Sequence, residues 1–364
     1  MSLNDKIDKI LNSLKHPVSG ANLKESGIVQ SVTINDGSVI ILLEVNEAHA
    51  NEMEPVRREL EKKAGKLLGV KSARVVMTAV RKPGTAPPPP PKPQTRKPPE
   101  PKPLEGVKRV IAVGSGKGGV GKSTTSVNLA YALQKLGLKV GFVDCDIYGP
   151  SGSVLLGTTD RPQSDADNRI IPLMKDGLAS ISMSNLMDAD KAAVWRGPMV
   201  IKAVQQLLSG AVWDHYGELD ILIADLPPGT GDVQLTMSQT INLHGAIIVS
   251  TPQDLALIDA RKAYDMFERT GTKVLGLVEN MSYFLCPKCG ERSEIFGHGG
   301  ARDTAESKGI PFLGEIPLDI EIREASDEGR SILLSDESSP LAKVYLDIAA
   351  KTMKALDLEV SSAS

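Results

Sequence analysis

The residues best suited to chemistry lie in one glycine-rich segment, Gly114–Thr124, with the sequence GSGKGGVGKST. Its glycines let consecutive backbone N–H groups curve around an anion without clashes from Cβ atoms. Lys122 supplies a positive charge for the β- and γ-phosphates of a nucleotide, and the Ser123 hydroxyl suits Mg²⁺. An apolar strand pattern, Val110–Val113, precedes the segment and a helical pattern, Ser123–Leu136, follows it, as phosphate-binding loops require. The residues predicted to bind nucleotide here are Gly114, Ser115, Gly116, Lys117, Gly118, Gly119, Val120, Gly121, Lys122, Ser123 and Thr124.

Acidic residues follow two further apolar strand patterns. Asp144 and Asp146 come after Lys139–Val143, and Asp225 comes after Asp220–Ala224. Carboxylates at strand ends beside a phosphate loop are suited to bind Mg²⁺ and to orient an attacking water molecule. Asp225 is therefore predicted to hold Mg²⁺ through water. For Asp144 and Asp146 the alternative is a structural role, in which both acids cap a turn.

A pair of cysteines, Cys286 and Cys289, has the spacing of a metal-binding turn. Paired thiolates at this spacing bind one metal ion or one edge of a cluster, commonly Zn²⁺ or an iron–sulfur centre. The chain has three cysteines, and the third, Cys145, lies between two acids near the nucleotide loop. One chain cannot complete a four-thiolate site, whereas a twofold dimer can. A redox-active disulfide, a zinc ion bridging a dimer and a lost site are the alternatives.

From Lys108 onward strand patterns alternate with helical ones, which predicts an α/β fold with a doubly wound, mostly parallel sheet. Nucleotide is expected at the carboxyl ends of these strands. The predicted strands are Val110–Val113, Lys139–Asp144, Leu178–Met183, Asp220–Asp225, Ala246–Thr251 and Val274–Asn280. A final amphipathic helix, Leu341–Leu356, is expected to pack onto the sheet because it lacks a strong basic face.

The patterns divide the chain into three parts. Residues 1–81 predict a small α+β domain with the order αββαβ, whose second helix, Met53–Leu68, has Leu68 on its inward face. Residues 82–106 form a proline-dense linker, and 107–364 form the nucleotide-binding domain.

Composition narrows the classes of function. Charged residues make up 24% of the chain and the net charge is −3, which gives no argument for a nucleic-acid partner. No apolar run approaches the roughly 18–20 residues of a membrane span. An odd number of cysteines fits a reducing cytoplasm. We expect a cytoplasmic protein that binds neither nucleic acid nor membrane.

A second lysine in the loop, Lys117, makes the sequence GKGGVGKS resemble the deviant P-loop ATPases. This group contains MinD, ParA, the nitrogenase iron protein, arsenite ATPases and the Mrp-type iron–sulfur carriers. The resemblance implies that Lys117 reaches across a dimer interface to the partner's nucleotide and acts with Lys122. It also implies that Asp144 belongs to the metal side of the site, that Asp146 orients the attacking water, and that Asn280 reads the adenine edge.

The segment DCDIYGPS, which begins at Asp144, together with the cysteine pair resembles the Mrp-type branch in particular. This resemblance implies a homodimeric, slow ATP hydrolase whose two subunits bridge a [4Fe–4S] cluster through Cys286 and Cys289. The dimer would pass the cluster to apo iron–sulfur proteins and work with a cluster-assembly scaffold; zinc is the alternative metal in isolated protein.

Residues 1–80 are similar to the metal–sulfur cluster assembly domain often fused ahead of such ATPases. They depart from its cysteine-bearing segment, because this chain has Asn46–Ala50 there and no cysteine before residue 81. The alternative for the whole chain is a ParA- or MinD-type positioning ATPase acting on DNA or membrane. The cysteine pair and the weakly basic last helix argue against that alternative.

Overall fold

The computed structural model describes residues 3–35, 37–46, 49–80, 102–186, 197–336 and 338–358. The chain divides into two compact units, Met1–Thr95 and Arg96–Ser364. Residues 82–101 of the predicted linker lie outside the described residues. The predicted domain limits at residues 81 and 107 stay predictions.

The first unit is a three-stranded sheet with two helices. Strand β2 pairs antiparallel with β1 and parallel with β3. Every second residue of β2 is buried, because one face of the sheet packs against both helices. Leu68 was expected to face inward but is 90% exposed, because the second helix ends at Gly65. The elements are α1 (Leu3–Ser13), β1 (Val29–Asn35), β2 (Ser38–Asn46), α2 (Ala50–Gly65) and β3 (Ser72–Val80).

The second unit is built on an eight-stranded sheet with the order β13-β10-β9-β4-β8-β5-β7-β6. All neighbouring strands are parallel except β6 and β7, so the predicted doubly wound, mostly parallel fold is confirmed. A separate antiparallel hairpin, β11–β12, follows β10. The strands are β4 (Val110–Gly114), β5 (Val140–Asp144), β6 (Leu173–Lys175), β7 (Leu178–Ser182), β8 (Ile221–Asp225), β9 (Gly245–Ser250), β10 (Val274–Glu279), β11 (Phe284–Leu285), β12 (Arg292–Ser293) and β13 (Phe312–Glu315).

Helices cover both faces of this sheet, and the central strands are therefore buried along their whole length instead of in alternation. The last helix, α12, places Tyr345, Ile348 and Met353 in the core beside α3, as expected from its apolar stripe. The helices are α3 (Lys122–Lys135), α4 (Gly152–Leu156), α5 (Met183–Leu186), α6 (Gly197–Ser209), α7 (Asp232–Thr240), α8 (Asp254–Arg269), α9 (Gly300–Lys308), α10 (Ile320–Asp327), α11 (Ile332–Ser335) and α12 (Pro340–Ala355).

The sheet order determines which loops meet. Strand β4 lies between β8 and β9, and β5 lies beyond β8, so their carboxyl ends form one edge of the sheet. The glycine-rich loop, Asp144 and Asp225 all leave this edge, where ligands bind in open α/β sheets. Over the described ranges, none of the helices combines the length and apolar character needed to cross a bilayer.

Candidate functional site

The glycine-rich loop connects β4 to α3, and its shape depends on glycine at particular positions. Gly119 and Gly121 have φ values of 80° and 78°, a left-handed region that favours glycine. A Cβ atom on Gly116 would lie 2.1 Å from the backbone carbonyl carbon of Asp259 in α8. The loop therefore packs its backbone directly on α8, which leaves no room for a side chain at position 116.

Lys122 and Asp225 form a buried ion pair at the start of α3. The Lys122 Nζ lies 2.7 Å from Asp225 Oδ2, and their side chains are 6% and 0% exposed. The Ser123 hydroxyl donates to the same oxygen at 2.6 Å, and the Ser126 hydroxyl donates to the other at 2.7 Å. Ser126 was not predicted, although it follows Lys122 by one helical turn and so shares its face.

This arrangement fits a magnesium ion. The Ser123 hydroxyl at the start of α3 and the Asp225 carboxylate at the end of β8 converge, and both are hard oxygen ligands of the type that Mg²⁺ prefers. When bound, the ion would supply positive charge next to the phosphates, held by Ser123 and Asp225. Meanwhile Asp225 neutralises Lys122, which would otherwise be a buried unpaired charge.

Asp144 is engaged by the loop that follows it. One carboxylate oxygen accepts the Asp146 N–H at 3.0 Å, and the other accepts the Gly152 N–H and the Ser182 hydroxyl, both at 2.8 Å. Burial and the nearby Asp225 charge raise the pKa of Asp144 to about 6. These bonds hold the segment from 146 to 152 against the end of β5, and participation of Asp144 in magnesium binding stays a prediction.

Asp146 and Lys117 line the same cavity of about 270 Å³ beside the phosphate loop. Burial raises the pKa of Asp146, and one of its oxygens accepts the Gly149 N–H at 3.2 Å. The Lys117 ammonium lies at the exposed surface, 3.4 Å from Gln253 Oε1 at the start of α8. Their predicted roles in orienting water and reaching a partner subunit are untested and stay predictions.

Asn280 follows β10 and contacts the phosphate loop. Its Nδ2 donates to the Val120 carbonyl at 2.8 Å, and its backbone N–H donates to the Ser250 carbonyl at 2.8 Å. Beside it lies a cavity of about 340 Å³, which we call the base pocket. Its lining includes Gly121, Thr124, Asn280, Met281, Pro317, Leu318, Asp319, Ile322 and Arg323. The sequence does not predict that residues 317–323 line this cavity, because the short strand β13 that positions them has no clear hydrophobic periodicity.

The cysteine pair lies in the turn of the hairpin β11–β12. The Cys286 N–H donates to the Glu291 carbonyl at 2.9 Å, and the Gly290 N–H donates to the Cys286 carbonyl at 2.8 Å. Hydrogen bonds from the backbone N–H groups of Lys288 and Cys289, and from the Cys289 thiol, lower the pKa of Cys286. The turn therefore stabilises a thiolate before any metal is bound.

The third cysteine differs from this pair. Cys145 is fully buried, and burial raises the pKa of its thiol well above the ordinary value. Across the described part of the chain, no cluster of three or more His, Cys, Asp and Glu side chains is arranged to hold a metal ion. His298 lies near the hairpin, where its Nδ1 is 3.4 Å from Arg292 Nη2 and 3.3 Å from Glu294 Oε1.

A phosphate loop at the centre of a parallel sheet, with a lysine–aspartate pair joining it to the next strand, defines a P-loop nucleotide-binding protein. The family model described as NUBPL iron-transfer P-loop NTPase matches residues 106–353. The chain belongs to this family, which confirms the resemblance to iron–sulfur carriers drawn from the loop and the cysteine pair. A second model, described as iron–sulfur cluster assembly protein, matches residues 4–76.

Individual relatives agree with this assignment. An iron–sulfur cluster carrier protein of Deinococcus radiodurans is 39% identical over 348 residues, which cover 95% of this chain and 94% of the relative. The iron–sulfur protein required for NADH dehydrogenase, mitochondrial, of Arabidopsis thaliana is 50% identical over 254 residues, or 70% of this chain and 80% of that protein.

Solved structures show a similar nucleotide-binding unit. A nucleotide-binding protein from Archaeoglobus fulgidus in complex with ADP is 41% identical, with a TM-score of 0.55 over 62% of this chain and 88% of that chain. The cell division ATPase MinD of Pyrococcus furiosus is 25% identical, with a TM-score of 0.51 over 68% of this chain and 98% of that chain.

Proposed function

We propose that this protein binds a [4Fe–4S] cluster between the two subunits of a homodimer and transfers it to apoproteins. ATP is bound and hydrolysed at the phosphate loop of each subunit. The observation that supports the proposal is the hairpin turn that presents the free cysteines Cys286 and Cys289 together, closed by hydrogen bonds from the Cys286 N–H to the Glu291 carbonyl and from the Gly290 N–H to the Cys286 carbonyl. The names of the relatives, which include iron–sulfur cluster carrier proteins, support the same cargo.

The dimer follows from the number of thiols. A cubane cluster held by cysteines takes four thiolates, and each chain offers two in this turn. Cys145, the third cysteine of the chain, is buried between the nucleotide-site acids and is poorly placed to join the pair. A twofold axis near the hairpin would bring two identical pairs together.

The nucleotide roles are part of the proposal. Lys122 would bind the phosphates, Ser123 and Asp225 would hold Mg²⁺, Asp146 would orient the attacking water, and Lys117 would act on the partner's nucleotide. Asn280 would read adenine, because the bond from its Nδ2 to Val120 fixes the orientation of its amide beside the base pocket.

The proposed partners are apo iron–sulfur proteins and a cluster-assembly scaffold, and the proposed compartment is a reducing cytoplasm. The assembly-type model that matches residues 4–76 supports the scaffold.

Anaerobic reconstitution with iron and sulfide tests the proposal. We expect a dimer with about two irons and two sulfides per chain, and loss of cluster in Cys286→Ala and Cys289→Ala. Cys145→Ala is the matched control, because it removes the buried thiol and leaves the turn intact. A monomer with a full cluster, or a full cluster in Cys286→Ala, would contradict the proposal; zinc analysis of the same samples distinguishes a bridging zinc ion.

A further inference from the structure

The base pocket and the cysteine hairpin share one short segment of chain. Asn280 and Met281 line the pocket, and Cys286 follows them directly through β11. Met281 has a φ of 54°, which is costly for a residue with a side chain. Its neighbours keep it there, because the Asn280 N–H is bonded to Ser250 and the Ser282 N–H donates to the Ile316 carbonyl at 3.0 Å.

A second segment, which follows β13, runs beside the first and joins the same two features. The Ile316 N–H donates to the Glu279 carbonyl at 2.8 Å, and the Leu318 N–H donates to the Tyr283 carbonyl at 2.7 Å. Pro317 and Leu318 line the base pocket. Both walls of the pocket are therefore bonded to each other and to the base of the cysteine hairpin.

Glu315 extends this connection to the far strand of the hairpin. Its Oε2 lies 3.1 Å from Arg292 Nη2, and its Oε1 lies 2.8 Å from Arg302 Nη2. Arg292 belongs to β12, pairs with Leu285 next to Cys286, and has its guanidinium 4.0 Å from the centre of the Tyr283 ring. Arg302 belongs to α9 instead.

The environment of Glu315 keeps its carboxylate charged and paired with both arginines. Its side chain is 14% exposed, so solvent screens its two ion pairs less than those of a surface residue. Burial by itself would raise the pKa of Glu315, but hydrogen bonds from Arg302 and Arg292 outweigh it and lower that pKa. The residue is charged at neutral pH and holds two arginines from different elements.

We propose that Glu315 is a positioning residue that links the nucleotide in the base pocket to the geometry of the Cys286–Cys289 turn, through its ion pair with Arg292. A base that enters the pocket contacts the segment after Glu315 and the segment before Cys286 at once. Movement of the segment after Glu315 moves that carboxylate, and the ion pair transmits the shift to Arg292 in β12 and so to the turn that holds both cysteines. The proposal rests on the proposed function for the identity of the cargo, but the linkage belongs to the metal-free chain.

The test measures the rate at which iodoacetamide alkylates Cys286 in the full, reduced, metal-free chain, with and without Mg²⁺ and ADP. Trypsin cleaves after Lys288, so the two cysteines fall on separate peptides and are measured separately by mass spectrometry. We expect saturating nucleotide to change the Cys286 rate by about fivefold or more in the unmodified chain, the lower end of ordinary couplings between sites.

Two arginine variants provide a matched comparison, because each removes one guanidinium from the same carboxylate. In Arg292→Gln, saturating nucleotide should change the Cys286 alkylation rate by less than about twofold. In Arg302→Gln, the change should remain about fivefold. Glu315→Gln should behave as Arg292→Gln does. Nucleotide affinity and the circular dichroism spectrum of each variant establish that the pocket and the fold are intact.

Three results would overturn the linkage: an unmodified chain that binds ADP without any change in the Cys286 rate, an Arg292→Gln variant with the full response, or equal losses in both arginine variants. None of these results would show whether the protein binds a cluster, because the reconstitution experiment measures that property separately. Conversely, a chain that responds to nucleotide but loads no cluster would remove the proposed cargo and leave the linkage standing.

Discussion

Replacement of Asp225 by asparagine tests the buried ion pair at the nucleotide loop. In the nucleotide-free protein the variant leaves the Lys122 ammonium, which is 6% exposed, without its carboxylate partner. Removal of one member of a buried pair costs about 3–5 kcal/mol. For a unit of this size each kcal/mol corresponds to roughly 2–4 °C in melting temperature, so Asp225→Asn should lower that temperature by at least about 6 °C.

Nucleotide should recover part of this loss. The phosphates of ADP give Lys122 a new anionic partner, so ADP in the presence of EDTA should raise the melting temperature more in Asp225→Asn than in the unmodified chain. Calorimetry, or fluorescence-monitored melting, measures both effects on the transition that nucleotide shifts. The chelator keeps Mg²⁺ from contributing through Ser123.

Asp265→Asn is the matched control, because it makes the same chemical change in an ion pair at the surface. Asp265 Oδ1 lies 3.0 Å from Lys308 Nζ, and the two side chains are 49% and 31% exposed. Such pairs contribute about 0.2–1 kcal/mol, so the control should melt close to the unmodified chain. If Asp225→Asn melts no lower than this control, or gains no more from ADP than the unmodified chain does, the reasoning about the pair is wrong.

Three further predictions follow from the same geometry. In metal-free protein, alkylation of Cys286 should reach half its maximal rate at a lower pH than alkylation of the same cysteine in an unfolded peptide, because N–H donors favour the thiolate; an equal or higher pH in the folded protein would contradict the hydrogen bonding. Gly116→Ala should lower thermal stability without nucleotide, since its Cβ would meet the Asp259 backbone at 2.1 Å, whereas Gly118→Ala, whose nearest neighbour is at 3.9 Å, should not; equal melting of both variants would exclude the close packing. Asn280→Ala should weaken ADP binding about fivefold, the equivalent of one net hydrogen bond, and should reduce the preference for ADP over GDP; calorimetric affinities that stay unchanged for both would remove its role at the base.

Local patterns were sufficient for much of this protein. The spacing of glycines, the two loop lysines and the flanking apolar runs lie within a few residues of one another, so their geometry follows from a single strand–loop–helix unit. The central strands could be found for the same reason, since a strand buried on both faces is a continuous apolar run. The cysteine turn is also local, because its hydrogen bonds join residues within one hairpin.

Contacts between distant segments needed the tertiary structure. Lys122 meets Asp225 because β4 and β8 are neighbours, although the two residues are 103 positions apart in the sequence. Likewise, the attachment of Glu315 to the hairpin depends on the position of β13 beside β10 at the edge of the sheet.

The fold class, the phosphate loop and the cysteine turn could thus be recognised from the chain alone, because residues close together in sequence encode each of them. Three features needed the folded chain: the groups that donate to the oxygens of Asp144, the residues that line the base pocket, and the bonds that join that pocket to the cysteine hairpin. Strand order and register bring those groups together, and neither can be derived from the hydrophobic periodicity of a single segment.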